Sequence, residues 1–202
     1  AYYDKSAPII KDIEYDRLKK KIIDLEKKYN FLEIPNSPSF IVGFKPSKNF
    51  KKSKHKVPML SLSNAFEDDD LVNFEKRIIN YLDKKDNFKI EYSAEPKIDG
   101  ISASLIYIDG KFTTGLSRGD GKEGEDITKN LRTIEDIPEK ILGKDFPKEI
   151  DIRGEVFIKN SDFKKLSNKF ANPRNAASGS LRQKNPEETR KIPLKFIAYT
   201  FG

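Results

Sequence analysis

The hydrophobic period of this chain changes at Phe88. Before that point apolar residues recur every three or four positions. Tyr15, Leu18, Ile22, Leu25 and Tyr29 form one such run, within 12–30, and Leu71, Phe74, Ile78 and Leu82 form another, within 68–82. Steps of that size line one face of a helix. From Phe88 the step is two: Phe88, Ile90, Tyr92 and Ala94 alternate with Lys89, Glu91, Ser93 and Glu95. That is the signature of a pleated, half-buried strand. Asp109-Gly110 lies between two alternating runs and marks a hairpin turn. Further strands are expected at 101–108, 111–117, 150–158 and 194–201, with short helices near 161–169 and 173–182. Asn172-Pro173 reads as an N-cap followed by proline in the first helical position.

This order predicts an α+β chain: a small N-terminal helical unit, then a domain with a largely antiparallel sheet. Pro35, Pro38, Gly43 and Pro46 punctuate an irregular connector. The expected division is a helical unit with connector over 1–50 and a larger domain over 51–202. Asp12 is a candidate N-cap, and Glu14 and Asp16 suit the positive start of the first helix.

Composition narrows the chemistry. The 202 residues contain no cysteine and one histidine, His55. Disulfides and thiolate metal sites are excluded, and a histidine-centred site is improbable. No apolar run approaches membrane-spanning length and no signal peptide is visible. The net charge of +7 is compatible with a phosphate-rich or nucleic-acid partner, but a lysine-rich solvated surface explains it equally well. The chain starts at Ala1 and stops at Gly202, just past an apolar run, so it reads as a fragment.

The stretch AEPKIDG sets Lys97 between Glu95 and Asp99. Strand parity puts all three on the polar face. Pro96 ends or edges the strand, and Gly100 permits a turn or a close approach. Flanking acids raise the pKa of a lysine and oppose nucleophilicity. On these residues alone a salt-bridged surface strand is the better account, and a nucleophile needs opposing cations or burial.

Three other stretches bear on the choice. SRGDGKEGED holds Arg118 in a glycine-rich turn whose backbone N–H groups could meet phosphate; an exposed loop is the plain alternative. In DIRGEVFIK, Arg153 and Glu155 share one face. Glu155 could hold a ribose hydroxyl or a metal, or the two could form a surface ion pair of little worth. FANPRNAASGSLRQ mixes small residues with Arg174 and Arg182, eight positions apart and able to share a helix face for anion contact.

Together these stretches resemble the bacterial NAD-dependent DNA ligases. The matching pieces are YYDKSAPIIKDIEYDRL, HKVPMLSLSNAF, EPKIDG, SRGDGKEGEDIT, RGEVFI and FANPRNAASGSLRQ, in family order and over nearly the whole chain. The K-x-D-G tetrapeptide is shared with ATP-dependent ligases and capping enzymes; the ordered set is far more specific.

The resemblance implies an ATP-grasp-like nucleotidyltransferase domain, C-terminally incomplete. It implies that Lys97 attacks the adenylyl phosphorus of NAD, forming lysyl–AMP and releasing nicotinamide mononucleotide, with Asp99 orienting it or aiding deprotonation. Glu95 is similar to the adenine contact, Arg118 to the arginine near the nucleotide, and Glu155 to the glutamate near the ribose. Ser61 and Leu62 match a segment that contacts NAD. Asp12, Ile13, Glu14, Tyr15 and Asp16 resemble the site for the nicotinamide mononucleotide half, and Tyr3 stands where some members carry histidine. Arg174 and Arg182 resemble arginines that contact nicked DNA.

By the same resemblance NAD is the adenylate donor, Mg²⁺ (or Mn²⁺) assists, and zinc belongs only to a missing C-terminal part. No metal ligand is expected in this chain. The partner is nicked double-stranded DNA during replication and repair, and the protein is a cytoplasmic, nucleoid-associated monomer. The later lysine motifs, OB-fold, zinc module and helix-hairpin-helix domains lie beyond Gly202, so the fragment alone is not expected to seal nicks. A non-catalytic nucleotide- or DNA-binding module, or an ATP-using nucleotidyltransferase, remains the alternative.

Overall fold

Asp109 and Gly110 both adopt positive φ, 48° and 73°, as the two central residues of a type I′ hairpin turn require. They join β2 (Ile101–Ile108) to β3 (Lys111–Ser117), both as expected. The computed structural model describes residues 10, 12–32, 34, 37, 50–85, 88–143, 145–166 and 168–202, with Asp12 and Ile13 in backbone only. These residues carry a mixed helix and antiparallel-sheet architecture.

Two compact units are present, one formed by 1–59 with 98–202 and the other by Leu60–Lys97. The larger holds a four-stranded antiparallel sheet in the order β3-β2-β5-β6, with β5 at Glu149–Phe157 and β6 at Lys195–Phe201. Ala103, Leu105 and Tyr107 alternate along β2 into the core, where they join Phe112, Val156 and Leu181. Leu131, from the one-turn helix α3 (Thr128–Leu131), sits so close to β3 that a Cβ on Gly115 would lie 2.4 Å from its Cδ1. The sheet therefore meets that helix at backbone distance. A register shift at Arg153/Gly154 in the β5–β6 ladder marks a bulge.

Two Asn-Pro pairs start the later helices. Asn172 Oδ1 accepts from the Asn175 N–H at 2.7 Å to open α5 (Pro173–Leu181), and Asn185 Oδ1 accepts from the Glu187 N–H at 3.1 Å to open α6 (Pro186–Arg190). Small residues let α5 lie close: Ala176, Ala177 and Ser180 are buried. A buried polar chain ties these helices to α3. Asn130 donates to the Gln183 carbonyl (2.9 Å) and Thr189 Oγ1 (2.8 Å), and Thr189 donates to the Ser180 carbonyl (2.8 Å).

The helix expected over 161–169 is one turn, α4 (Asn160–Phe163), followed by turns. The N-terminal helix α1 runs Asp12–Lys28, two residues short of expectation. Its periodic residues Leu18, Leu25 and Tyr29 are exposed, and Glu26 is buried instead, accepting from Ser37 Oγ.

A ribbon not anticipated from sequence pairs β1 (Lys52–Lys54) with β4 (Glu123–Glu125), in register Ser53↔Gly124. Neither strand has the apolar alternation by which strands are read from sequence.

The smaller unit contains α2 (Asp68–Tyr81), one residue short of expectation. Its acidic first turn complements the helix dipole, and Asp70 Oδ2 accepts from the Phe66 N–H at 2.9 Å. The alternating run 88–95 forms no strand, which corrects the expectation drawn from its period. Among the described residues no neighbouring strand pairs with it, and a pleat without a ladder is only extended chain. Tyr92 packs on Phe74 of α2, centroid to centroid 6.5 Å.

Candidate active site

The boundary between the units falls inside the tetrapeptide Lys97-Ile98-Asp99-Gly100. In the smaller unit Glu95 and Lys97 are exposed on extended chain, and Ser93 Oγ donates to Glu95 Oε1 at 3.2 Å. Lys97 forms no ion pair with either flanking acid among the described residues, contrary to the surface-strand account. Ser61 and Leu62 are exposed in the same unit, Leu62 at 77%.

In the larger unit Gly100 explains its own place in the motif. A Cβ there would lie 2.2 Å from the Val156 carbonyl oxygen and 3.0 Å from Cγ of Glu155. Only glycine lets the chain lie this close to β5. Asp99 precedes Gly100, and Arg174 Nη1 donates to Asp99 Oδ1 at 3.1 Å. One position into β2, Ser102 lies opposite Glu155 in the ladder and donates to its Oε2 at 2.8 Å. The ladder thus joins two sequence-distant motifs at Ser102 and Glu155, and the start of α5 meets the motif at Asp99.

Tyr199 joins this group and was not singled out from sequence. Burial, chiefly, and the Glu155 charge raise its pKa, while the Ser102 side chain and the Arg153 and Arg118 charges pull it down. The bulge in the ladder leaves Tyr199 between paired Ala198 and Thr200. Bulges re-aim side chains, and no local pattern announces this one.

The expected Arg153–Glu155 surface pair is also corrected. Arg153 is buried. Its guanidinium reaches Asp151 at 3.2 Å, donates to the Pro58 carbonyl at 3.1 Å and bonds the Val57 carbonyl. Asp151 in turn accepts from Ser104 Oγ at 2.6 Å. The arginine pins the Val57–Pro58 backbone to the sheet, and Glu155 is left to the site.

The glycine-rich loop behaves differently from a phosphate cradle. Asp120 Oδ1 accepts from the N–H groups of Lys122 and Glu123, each at 2.8 Å, and the Gly121 N–H donates to the Arg118 carbonyl at 3.0 Å. Those hydrogen bonds hold the Asp120 carboxyl below its ordinary range, the Glu123 amide contributing most. The N–H groups of Asp120, Gly121, Lys122 and Glu123 are satisfied within the loop. Its glycines serve backbone crossing: Gly119 and Gly121 have φ of 58° and 92°, and a Cβ on Gly119 would lie 1.8 Å from the Glu123 carbonyl oxygen.

Arg182 caps the C-terminus of α5 and its Nε lies 3.1 Å from Oε2 of Glu125. On α1, Tyr15 and Asp16 are half-buried and Glu14 is exposed. Tyr3 and the side chains of Asp12 and Ile13 lie outside the described residues.

Residues 47–202 match the family model of the NAD-dependent DNA ligase adenylation domain. The chain belongs to the NAD-dependent DNA ligases. Residues 1–43 match a second model, the DNA ligase-like N-terminal NAD⁺-binding domain. The chain is 73% identical over 201 residues to a DNA ligase of Pelagibacter ubique (strain HTCC1062), covering all of this chain and 30% of that protein. It is 49% identical over 209 residues to a DNA ligase of Parvibaculum lavamentivorans, covering 29% of it, and 46% identical over 210 residues to one of Xanthobacter autotrophicus, again covering 29%. The chain thus spans about 30% of the length of these ligases. No helix among its described residues is long and apolar enough to cross a membrane.

Proposed function

We propose that this chain is the AMP-capturing part of a DNA ligase that uses NAD. The Lys97 amine attacks the adenylyl phosphorus. An N–P bond forms, the P–O bond to the nicotinamide mononucleotide breaks, and that mononucleotide leaves with the bridging oxygen. The amine must shed its proton to react, and Asp99 is assigned to steer that proton. Phosphoryl transfer rests mainly on positioning and charge stabilisation. Glu155 is assigned to the ribose, Glu95 to the adenine, Arg118 to the nucleotide, and Ser61 and Leu62 to NAD. Asp12, Ile13, Glu14, Tyr15 and Asp16 are assigned to the nicotinamide mononucleotide half.

The observation that carries this reading is the approach of Gly100 to β5. It holds the end of the motif against β5 beside the Ser102–Glu155 pair, while Asp99, the residue before Gly100, pairs with Arg174.

Among the described residues no group of three or more His, Cys, Asp or Glu side chains is placed to hold a metal ion. The steps above run through the chain's own side chains.

The wider reading follows the relatives. Residues 1–50 form the mononucleotide-binding unit and 51–202 an ATP-grasp-like nucleotidyltransferase domain. The full protein seals nicks in double-stranded DNA in replication and repair, as a cytoplasmic, nucleoid-associated monomer. Arg174 and Arg182 exchange their carboxylate partners for nick phosphates.

Full-length protein incubated with NAD labelled in its adenylate is expected to carry one label, on Lys97. Label that persists in Lys97→Ala refutes the assignment. ATP serving as donor in place of NAD refutes the cofactor.

A further inference from the structure

We propose that His55 is a positioning residue for Arg118, acting through a hydrogen bond from its Nε2 to the Arg118 carbonyl. The inference rests on the reading of Arg118 as a nucleotide contact.

His55 follows β1 directly and its side chain is buried. Its backbone N–H donates to the Lys122 carbonyl at 2.9 Å, and its Nε2 lies 3.1 Å from the Arg118 carbonyl oxygen. A carbonyl only accepts, so the proton is on Nε2. Nδ1 is buried with no hydrogen-bond partner among the described residues. A proton there would bury an unpaired donor and a charge together. The neutral, Nε2-protonated ring is therefore the form that fits.

The ring also explains a glycine. A Cβ on Gly124 would lie 3.0 Å from His55 Nε2 and 1.8 Å from the Ser117 carbonyl oxygen. The imidazole fills the space beside Gly124 and holds the loop where it leaves β3 at Arg118. Asp120 fixes the tip of the same loop through Lys122 and Glu123, and the Arg118 carbonyl accepts from the Gly121 N–H at 3.0 Å. Rotation of that peptide re-aims the Arg118 side chain. His55 supplies the second bond that prevents it.

Chemistry distinguishes this role from simple packing. A glutamine amide nitrogen reaches the position of histidine Nε2, whereas an asparagine amide reaches only that of Nδ1. The test is AMP transfer from NAD in the full-length protein, comparing His55→Gln, His55→Asn, Arg118→Ala and the double variant His55→Asn/Arg118→Ala. His55→Asn is expected to lower kcat/KM for NAD by about fivefold, the worth of one hydrogen bond. His55→Gln is expected to recover most of that loss, and His55→Asn to add nothing in the Arg118→Ala background.

A glutamine variant as slow as the asparagine one overturns the proposal. So does an asparagine defect of equal size with and without the Arg118 guanidinium. If Arg118→Ala alone transfers AMP at the wild-type rate, the nucleotide reading of Arg118 fails, and this inference with it. The unaltered protein offers a check free of folding defects, through the imidazole ¹⁵N signals of His55, assigned by their loss from the spectrum of His55→Gln. An Nε2-protonated ring whose signals move on addition of NAD is expected; an Nδ1-protonated ring overturns the proposal.

Discussion

Arg182 Nε lies 3.1 Å from a carboxylate oxygen of Glu125, whose side chain is only 1% exposed. The arginine itself is 37% exposed, so the pair is half in solvent. The Glu125 N–H donates to Ser117 Oγ at 3.0 Å, which ties the buried acid to the end of β3. The contact joins the last turn of α5 to the ribbon strand β4.

Arg182→Ala therefore removes a counter-charge from a buried carboxylate. Stability is expected to fall by about 2 kcal/mol, below the range for a fully buried pair because solvent screens the exposed partner. Adding Glu125→Gln is expected to recover part of the loss. Denaturant unfolding of the two single variants and the double variant measures the coupling; additive losses would show that the pair contributes nothing.

Two glycines give opposite expectations. Gly100→Ala forces a Cβ to 2.2 Å from backbone at Val156, so it should destabilise by about 1–3 kcal/mol, as overpacking does. It should also abolish AMP capture by displacing Asp99. Gly179 lies inside α5, where the nearest atom to an added Cβ is Phe170 Cε1 at 3.4 Å. Gly179→Ala should stabilise by about 0.5–1 kcal/mol through helix propensity. Thermal melts alongside NAD-labelling of the full-length protein read both.

Alkaline pH tests Tyr107. Its hydroxyl donates to the Pro138 carbonyl at 2.8 Å, and burial, with the Glu139 charge second, pushes its pKa up to about 12. The unfolded phenol ionises near its ordinary value of about 10. The neutral phenol thus favours the fold fully below about pH 10, and that contribution is lost as pH rises through about 12. Tyr107→Phe should cost about 1 kcal/mol at neutral pH and flatten the fall in stability between those limits. Unfolding curves at a series of alkaline pH values decide it, and an unchanged slope would count against this tyrosine.

Acid pH tests Asp120. Its carboxyl is held low mainly by the Glu123 and Lys122 amides. A lowered folded pKa stabilises above the ordinary carboxylate range and ceases to do so as pH falls through the folded value. Asp120→Asn keeps an acceptor oxygen but not the charge. The variant should be less stable at neutral pH, with the gap in Tm narrowing in acid; a gap constant with pH would contradict the assignment.

What could be read from the chain was local. The I′ turn needs only Asp109-Gly110, and the start of α5 needs only Asn172-Pro173. The second cap, Asn185-Pro186, carries the same signal and was equally readable. The strands 101–108 and 111–117 follow from alternation beside that turn. The family resemblance named Lys97, Asp99, Arg118 and Glu155 from order and motif.

What could not be read depends on partners distant in sequence. Lys52–Lys54 and Glu123–Glu125 pair across about seventy residues with no apolar pattern. The run 88–95 has the pattern and no ladder. Arg153 looks like a surface charge until Val57 and Pro58 arrive to accept from it. Tyr199 stands opposite no residue of β5 because of a bulge. Sequence by itself determined the short-range turns, caps and periods, because neighbouring residues settle those torsions. Tertiary structure alone decided which charges are buried and which amides of the glycine loop are already spent. Hydrogen bonding and desolvation depend on atoms brought close in space.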